Sequence, residues 1–190
     1  MKSRICLVPV LLVLFFYTGC DYSRQYARED LYYEQLGEMA VLPFNNHTQN
    51  AQAGEIVTHL FTTELLTRKQ FSVVPAYELK TKLDINHPVA GEDIIVETSL
   101  DDISAKLGVN SIIIGTVTEY KYKKGLREKP VVGIDVKCYL SDTSEVVWAC
   151  SYTLEELQLL FHKGSCAEVA QKVCRQAVNN LEKNLSKKSK

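Results

Sequence analysis

The stretch LGVNSIIIGTV (residues 107–117) contains a helix end followed directly by the start of a strand. Gly108 is the residue type that most often ends a helix, because glycine enters the left-handed region without steric cost. The apolar run 112–114 does not alternate with polar residues, which predicts a strand buried on both faces. The strand continues to about residue 123, and its alternation predicts one shared face for Thr116, Thr118, Tyr120 and Tyr122.

The neighbouring segments extend this strand into a sheet. Two more apolar runs, at 131–140 and 146–152, follow after the short connections 124–130 and 141–145, which predicts a three-stranded antiparallel meander. The other predicted elements are a strand at 39–44, a helix at 51–68, a strand at 71–75, a helix at 77–83, a connection at 84–98, a helix at 99–107 and a final helix at 166–185. This order predicts an α+β fold in which helices pack a mixed sheet.

The N-terminus has the pattern of an export signal. Lys2 and Arg4 precede an apolar run at 5–17, which is too short to span a membrane because a spanning helix needs about 20 residues. The run ends in Thr18–Gly19–Cys20, and small residues before a cysteine resemble the lipobox of bacterial lipoproteins. That resemblance implies that Cys20 is acylated, becomes the first residue of the mature chain and anchors it to a membrane.

Three parts are expected along the chain: a lipoprotein signal peptide at 1–19, a lipidated tether at 20–37 and a single α+β domain at 38–190. Tyr22, Tyr26 and Tyr33 fall at helical spacing, so the tether is expected to hold a short helix. The expected location is the bacterial cell envelope at a periplasmic membrane face. The outer membrane is favoured, but Asp21 resembles the inner-membrane retention signal of enteric lipoproteins, so the inner membrane stays open.

Composition excludes several function classes. The formal net charge of −1 gives no electrostatic footprint for nucleic acid. Of six cysteines, Cys6 leaves with the signal and Cys20 would be acylated, and the others are Cys138, Cys150, Cys166 and Cys174. In an exported protein these thiols could form disulfides or remain as buried small hydrophobic groups, and both alternatives stay open. The histidines are scattered without ligand spacing, so neither a metal nor another cofactor is expected.

Several motifs together resemble one bacterial superfamily. They are AVLPFNN (40–46), FSVVP (71–75), LGVNSIIIGTV (107–117) and VVGIDVKCYLSDTSEVVWACSY (131–152). This combination is similar to the superfamily that holds the curli-secretion channel lipoprotein (CsgG-type), the outer-membrane activator of penicillin-binding proteins (LpoB-type) and the N-terminal domain of TolB. The resemblance covers roughly residues 38–182 and implies a binding or assembly protein without catalytic residues.

The function expected from these patterns is non-catalytic. The chain has no GxSxG, SxxK, HExxH or Walker motif. Its connections at 124–130 and 153–164 are too short for the membrane hairpins of a channel, which would need about 40 additional residues. We therefore expect a lipid-anchored envelope protein that binds a protein partner, or a second copy of itself, in envelope assembly or secretion. The alternative is a small-ligand-binding or enzymatic periplasmic domain with a site in the 84–98 connection.

The end of the 112–123 strand is the predicted docking site for a partner. Tyr120 and Tyr122 share one face there, and Lys124 and Arg127 lie in the basic turn that follows. Aromatic and arginine side chains with a charged rim are typical of interface hot spots. The alternative is a solvated hairpin whose tyrosines cover the protein's own core.

Overall fold

A computed structural model describes residues 21–85, 89–125, 128–156 and 164–186. The signal peptide and Cys20 therefore lie outside the described residues. The strands are β1 (Asp21–Ala27), β2 (Glu38–Val41), β3 (Asn45–Asn46), β4 (Ser72–Val73), β5 (Ser111–Lys123), β6 (Lys129–Leu140) and β7 (Val146–Glu155). The helices are α1 (Tyr33–Leu36), α2 (Ala53–Thr67), α3 (Ala76–Lys82), α4 (Gly91–Glu97), α5 (Leu100–Leu107) and α6 (Cys166–Ser186).

The strands form one mixed sheet in the order β1-β7-β6-β5-β2-β4, and β3 also pairs with β5. Among β1, β7, β6 and β5 each strand is antiparallel to its neighbour, whereas β2, β3 and β4 add parallel pairings beyond β5. The predicted α+β fold with a three-stranded meander is confirmed.

The sheet has a large hydrophobic core on one face. Helices α2 and α6 cover this face, and their apolar stripes pack against inward side chains of β5, β6 and β7. The apolar stripe of α6 is buried; its members are Cys166, Val169, Ala170, Val173, Cys174, Ala177, Val178 and Leu181. Burial of such stripes supplies most of the stability of a helix in a folded domain.

A second, smaller core lies on the opposite face. It joins β2 and β5 to helices α3, α4 and α5 through Leu42, Leu79, Ile94, Ile103, Leu107 and Ile112. No residue of β1, β6 or β7 belongs to this second core. Among the described residues, helices therefore cover both faces of the sheet only in its parallel half.

The predicted start of β5 is confirmed in its details. Ser99 caps the start of helix α5, and its hydroxyl accepts a hydrogen bond from the Asp102 amide at 3.2 Å. Gly108 follows the last helical residue and has the left-handed φ of 75°. The following residues 111–113 are buried, as expected for a strand with a packed layer on each side.

A β-bulge in β5 corrects the predicted alternation. Val117 pairs with Ile134 and Glu119 pairs with Gly133, so Thr118 is an extra residue between two consecutive pairs. The extra residue reverses the facing of the residues that follow. Tyr120 therefore joins the large core together with Val117, whereas the sequence pattern had placed it on the face of Thr116.

Residues 21–36 also differ from expectation, because they are part of the domain rather than a separate tether. Asp21–Ala27, where a short helix was expected, is a strand that pairs antiparallel with β7 along its whole length. Leu31 and Leu36 are both 1 % exposed in the large core, so the chain stays packed after β1 ends. Antiparallel pairing satisfies half of the backbone groups of β1 and positions this N-terminal segment.

The expected connection at 84–98 contains a helix. Gly91–Glu97 forms α4, and its Ile94 packs in the second core. The Gly91 amide donates to the Pro43 carbonyl at 2.8 Å, and a Cβ at residue 91 would lie 2.8 Å from the same oxygen. The helix therefore begins in close contact with the chain that joins β2 and β3. A local sequence pattern does not predict this contact, because the two segments are distant in sequence.

Gly115 offers a test of the packing around β5. A Cβ at this position would lie 2.3 Å from Cε2 of Phe44, whose ring packs 5.4 Å from that of Phe61. Gly115→Ala should lower the free energy of unfolding by about 1–3 kcal/mol, because the added methyl group overpacks the core. Urea denaturation measures the loss. Phe44→Leu added to Gly115→Ala should recover part of the stability, and wild-type stability in Gly115→Ala alone would contradict this packing.

Candidate functional site

The residues of the predicted docking site differ in their exposure to solvent. Tyr120 is 9 % exposed and belongs to the large core, so most of its side chain is inaccessible to a partner. Tyr122 is 47 % exposed, and its hydroxyl oxygen accepts a hydrogen bond from the Cys166 amide at 3.4 Å. Lys124 is exposed, whereas Arg127 lies outside the described residues. Tyr122 and Lys124 are thus the described members of the set that a partner could contact.

The β5–β6 hairpin, defined here as residues 121–125 and 128–131, carries ordered charges. The carboxylate of Glu155 accepts hydrogen bonds from Lys123 and from Lys129, each at 3.0 Å. These two bonds hold the pKa of Glu155 below its usual value. Further back along β5, Lys121 pairs with Glu119 at 3.5 Å. The lysines therefore lie at and beyond the end of the sheet, and the carboxylates of Glu119 and Glu155 lie behind them.

The strand register places the first residue of β1 at the same end of the sheet as this hairpin. Asp21 pairs with Leu154, Leu154 with Val132, and Val132 with Tyr120. Neighbouring strands lie about 4.8 Å apart, so three strand spacings separate β1 from β5 by roughly 15 Å. The hairpin continues past this row to the pair Lys123–Lys129, which lies about 10 Å farther along the strand direction.

The outer face of β1, β7 and β6 is the second candidate surface. One row across it consists of Tyr26, Ala149 and Lys137, which are aligned by the pairings of β1 with β7 and of β7 with β6. Tyr26 is 53 % exposed, Lys137 is exposed and Ala149 is half-buried. No helix of the described segments packs on this half of the sheet. A sheet face with an exposed aromatic ring beside a small side chain is suited to contact with another macromolecule.

A polar link holds β1 against the large core. The Trp148 indole N–H donates to Oδ1 of Asn180 at 3.0 Å, and the Asn180 amide nitrogen donates to Oε1 of Gln25. Trp148 and Asn180 are both buried, so these bonds satisfy polar groups that would otherwise be costly in the core. This link was not predicted from the sequence, where its one signal is an asparagine beside the apolar stripe of α6.

The four described cysteines are free thiols, and all of them are buried. Burial raises the pKa of Cys138 and of Cys174 to about 12. Burial also raises the pKa of Cys150 and Cys166. The thiols are therefore protonated at neutral pH and pack as small hydrophobic groups, in line with the second of the two alternatives that the sequence left open.

The described residues give little support for a metal site or for a ligand site in the 84–98 segment. They contain no cluster of three or more His, Cys, Asp or Glu side chains that could bind a metal ion. In the 84–98 segment, Ile85, Val89, Ile94 and Ile95 pack against the second core. A search of the described helices for one long and apolar enough to cross a membrane found none.

Comparison with solved structures shows which folds the chain resembles. A PelC dodecamer from Paraburkholderia phytofirmans is 18 % identical with a TM-score of 0.60, and the match covers 85 % of this chain and 96 % of that one. Lipoprotein GNA1162 from Neisseria meningitidis is also 18 % identical with a TM-score of 0.60, over 77 % of this chain and 99 % of that one.

The LpoB C-terminal domain from Salmonella enterica is a weaker match, 13 % identical with a TM-score of 0.45 over 79 % of this chain and 93 % of that one. No family model matches the chain. No curated protein matches it by sequence. At these identities the first two matches show a shared fold, and that fold occurs in a bacterial lipoprotein.

Proposed function

We propose that this chain is a lipid-anchored lipoprotein of the bacterial cell envelope, attached through Cys20, and that it acts without catalysis by binding a protein partner in envelope assembly or secretion. Two observations support the proposal: the signal peptide ends in Thr18–Gly19–Cys20, and the fold is shared with a lipoprotein of Neisseria meningitidis. The observation that carries the binding role is the open outer face of β1, β7 and β6.

We propose that no flexible spacer separates the lipid anchor from the folded domain. Cys20 directly precedes Asp21, the first residue of β1. A protein with this arrangement stays within a few nanometres of its own membrane, so its partner must be a protein of the same membrane, a neighbouring protein close to it, or a second copy of the chain. This short reach distinguishes it from a lipoprotein with a long flexible tether.

The anchor has a direct test. Cys20→Ser should move the protein from the membrane fraction to the soluble envelope fraction, because the acceptor thiol of the lipid is lost. Intact-mass measurement of the wild-type protein should show an acylated N-terminus at Cys20. Cys166→Ser is a matched control, since Cys166 is buried and its replacement should leave the protein with the membranes. An unmodified wild-type N-terminus at another residue would contradict the anchor.

The binding role is proposed to reside on the open face. Ala149 lies in the middle strand of that face, between Tyr26 of β1 and Lys137 of β6. Its side chain is directed away from the large core, because the neighbouring Trp148 and Cys150 are directed into it. A larger charged side chain there should block a partner without disturbing the core.

Ala149→Arg should therefore reduce recovery of a partner, or of a self-oligomer, at least about tenfold after crosslinking in intact envelopes. Val96→Arg is the matched control, since Val96 is 86 % exposed on α4 on the other half of the molecule. Thermal unfolding of both variants checks that the fold is kept. Equal recovery of every crosslinked species by wild type and Ala149→Arg would contradict a docking site on this face.

A further inference from the structure

We infer that the β5–β6 hairpin is a membrane-contacting element that binds anionic phospholipid headgroups and orients the domain on the membrane that holds the Cys20 anchor. The inference rests on the proposed lipid anchor and adds to it a surface, a ligand class and an orientation. It assigns the hairpin to a lipid surface, whereas the sequence pattern had suggested a protein partner.

The sequence adjacency of Cys20 and β1 carries the first step. Cys20 directly precedes Asp21, and Asp21 lies in one row across the sheet with Leu154, Val132 and Tyr120. Consecutive Cα atoms are about 3.8 Å apart, so an anchor attached at Cys20 is one residue from this row. The acyl chains therefore leave the protein from the edge of the sheet end that carries the hairpin.

The length of the hairpin carries the second step. Beyond the row of Asp21 and Tyr120 it continues to the pair Lys123–Lys129, about 10 Å in all, before the turn. The headgroup region on one side of a bilayer is roughly 5–8 Å thick. With Asp21 held at the membrane surface by the adjacent anchor, the end of the hairpin reaches the depth of the lipid headgroups.

Charge carries the third step. Past Lys121 the described hairpin has three lysines, Lys123, Lys124 and Lys129, and one carboxylate, that of Glu128. Lys123 and Lys129 also pair with the carboxylate of Glu155, which leaves one more lysine than carboxylates in this group. Each lysine near an anionic bilayer surface contributes about 1 kcal/mol of attraction, which corresponds to about fivefold in affinity.

Tyr122 adds a group suited to the interface. Its ring is 47 % exposed, while its hydroxyl is held by the Cys166 amide at the start of α6. Tyrosine is enriched at membrane–water interfaces because its ring is apolar and its hydroxyl is polar. A hairpin with an exposed tyrosine between lysines therefore matches the chemistry of an anionic headgroup layer.

Vesicle binding tests the inference separately from the anchor. Full-length Cys20→Ser protein purified from the soluble envelope fraction should bind vesicles of phosphatidylethanolamine and phosphatidylglycerol in roughly 3:1 ratio, and should bind pure phosphatidylcholine vesicles more weakly. About 0.5 M NaCl should abolish the difference, because the Debye length falls to a few ångströms. Lys123→Gln with Lys124→Gln should weaken binding to the anionic vesicles about 10- to 30-fold, and Lys129 still pairs with Glu155 in that variant.

The matched control removes two lysines from the opposite end of the sheet. Lys69 follows α2 and Lys106 lies in the last turn of α5, and both are exposed. Lys69→Gln with Lys106→Gln changes the net charge by the same amount and should bind anionic vesicles like the parent. A local probe completes the design: Tyr122→Trp should shift its fluorescence to the blue on anionic vesicles, whereas Tyr32→Trp, at a site 40 % exposed near α1, should not.

The outcomes are distinct. Equal binding by the two lysine pairs, no preference for anionic vesicles, or an unchanged Tyr122→Trp spectrum overturns the inference. If the hairpin crosslinks to another protein while the purified chain does not bind vesicles, the inference is overturned in favour of protein docking. If intact-mass measurement shows that the wild-type N-terminus is not acylated at Cys20, the proposed anchor fails, and that result does not depend on the vesicles.

Discussion

The central strand β5 is the constraint on which the rest of the structure depends. It pairs with β2 and β3 in parallel on one side and with β6 antiparallel on the other, so both halves of the sheet are built on it. Its first half is covered by helices on both faces, whereas its second half passes the bulge at Thr118 and continues into the hairpin. One strand thus connects the doubly covered half of the domain to the end that we propose faces the membrane.

The account of function follows from where β1 joins this sheet. Because β1 pairs with β7, the residue after the proposed anchor lies at the edge of the sheet, and the register relates it to the hairpin. In the proposed arrangement the domain has a restricted orientation. The hairpin end faces the lipid, and the outer face of β1, β7 and β6 is roughly perpendicular to the membrane plane. Partner binding and membrane contact are then assigned to different surfaces and can be disrupted separately.

The sequence predicted those parts of the fold that depend on local pattern. The helix at 99–107, its end at Gly108 and the final helix are confirmed because each is a property of neighbouring residues. The bulge at Thr118 and the pairing of Asp21–Ala27 with β7 could not be predicted in this way, because both depend on a partner strand distant in sequence.

The candidate site shows the same division. The exposure of Tyr122 agrees with its predicted place past the apolar part of the strand, whereas the burial of Tyr120 depends on the bulge. The closeness of the hairpin to β1 depends on the register of four strands. The link from Trp148 through Asn180 to Gln25 joins three distant segments, so no local pattern reports it.

Hydrogen exchange at β1 in the acylated protein tests the central claim, that the domain begins at the residue after the anchor. The Arg28 amide donates to the Val147 carbonyl at 2.9 Å, and the alternation of an antiparallel ladder places the amides of Tyr26 and Arg24 in the same phase. Their exchange should be slowed at least about a hundredfold relative to an unstructured peptide, and the outward amides of Gln25 and Ser23 should exchange faster. Exchange of all four amides at the unstructured rate would contradict the account, because β1 would then be a flexible tether.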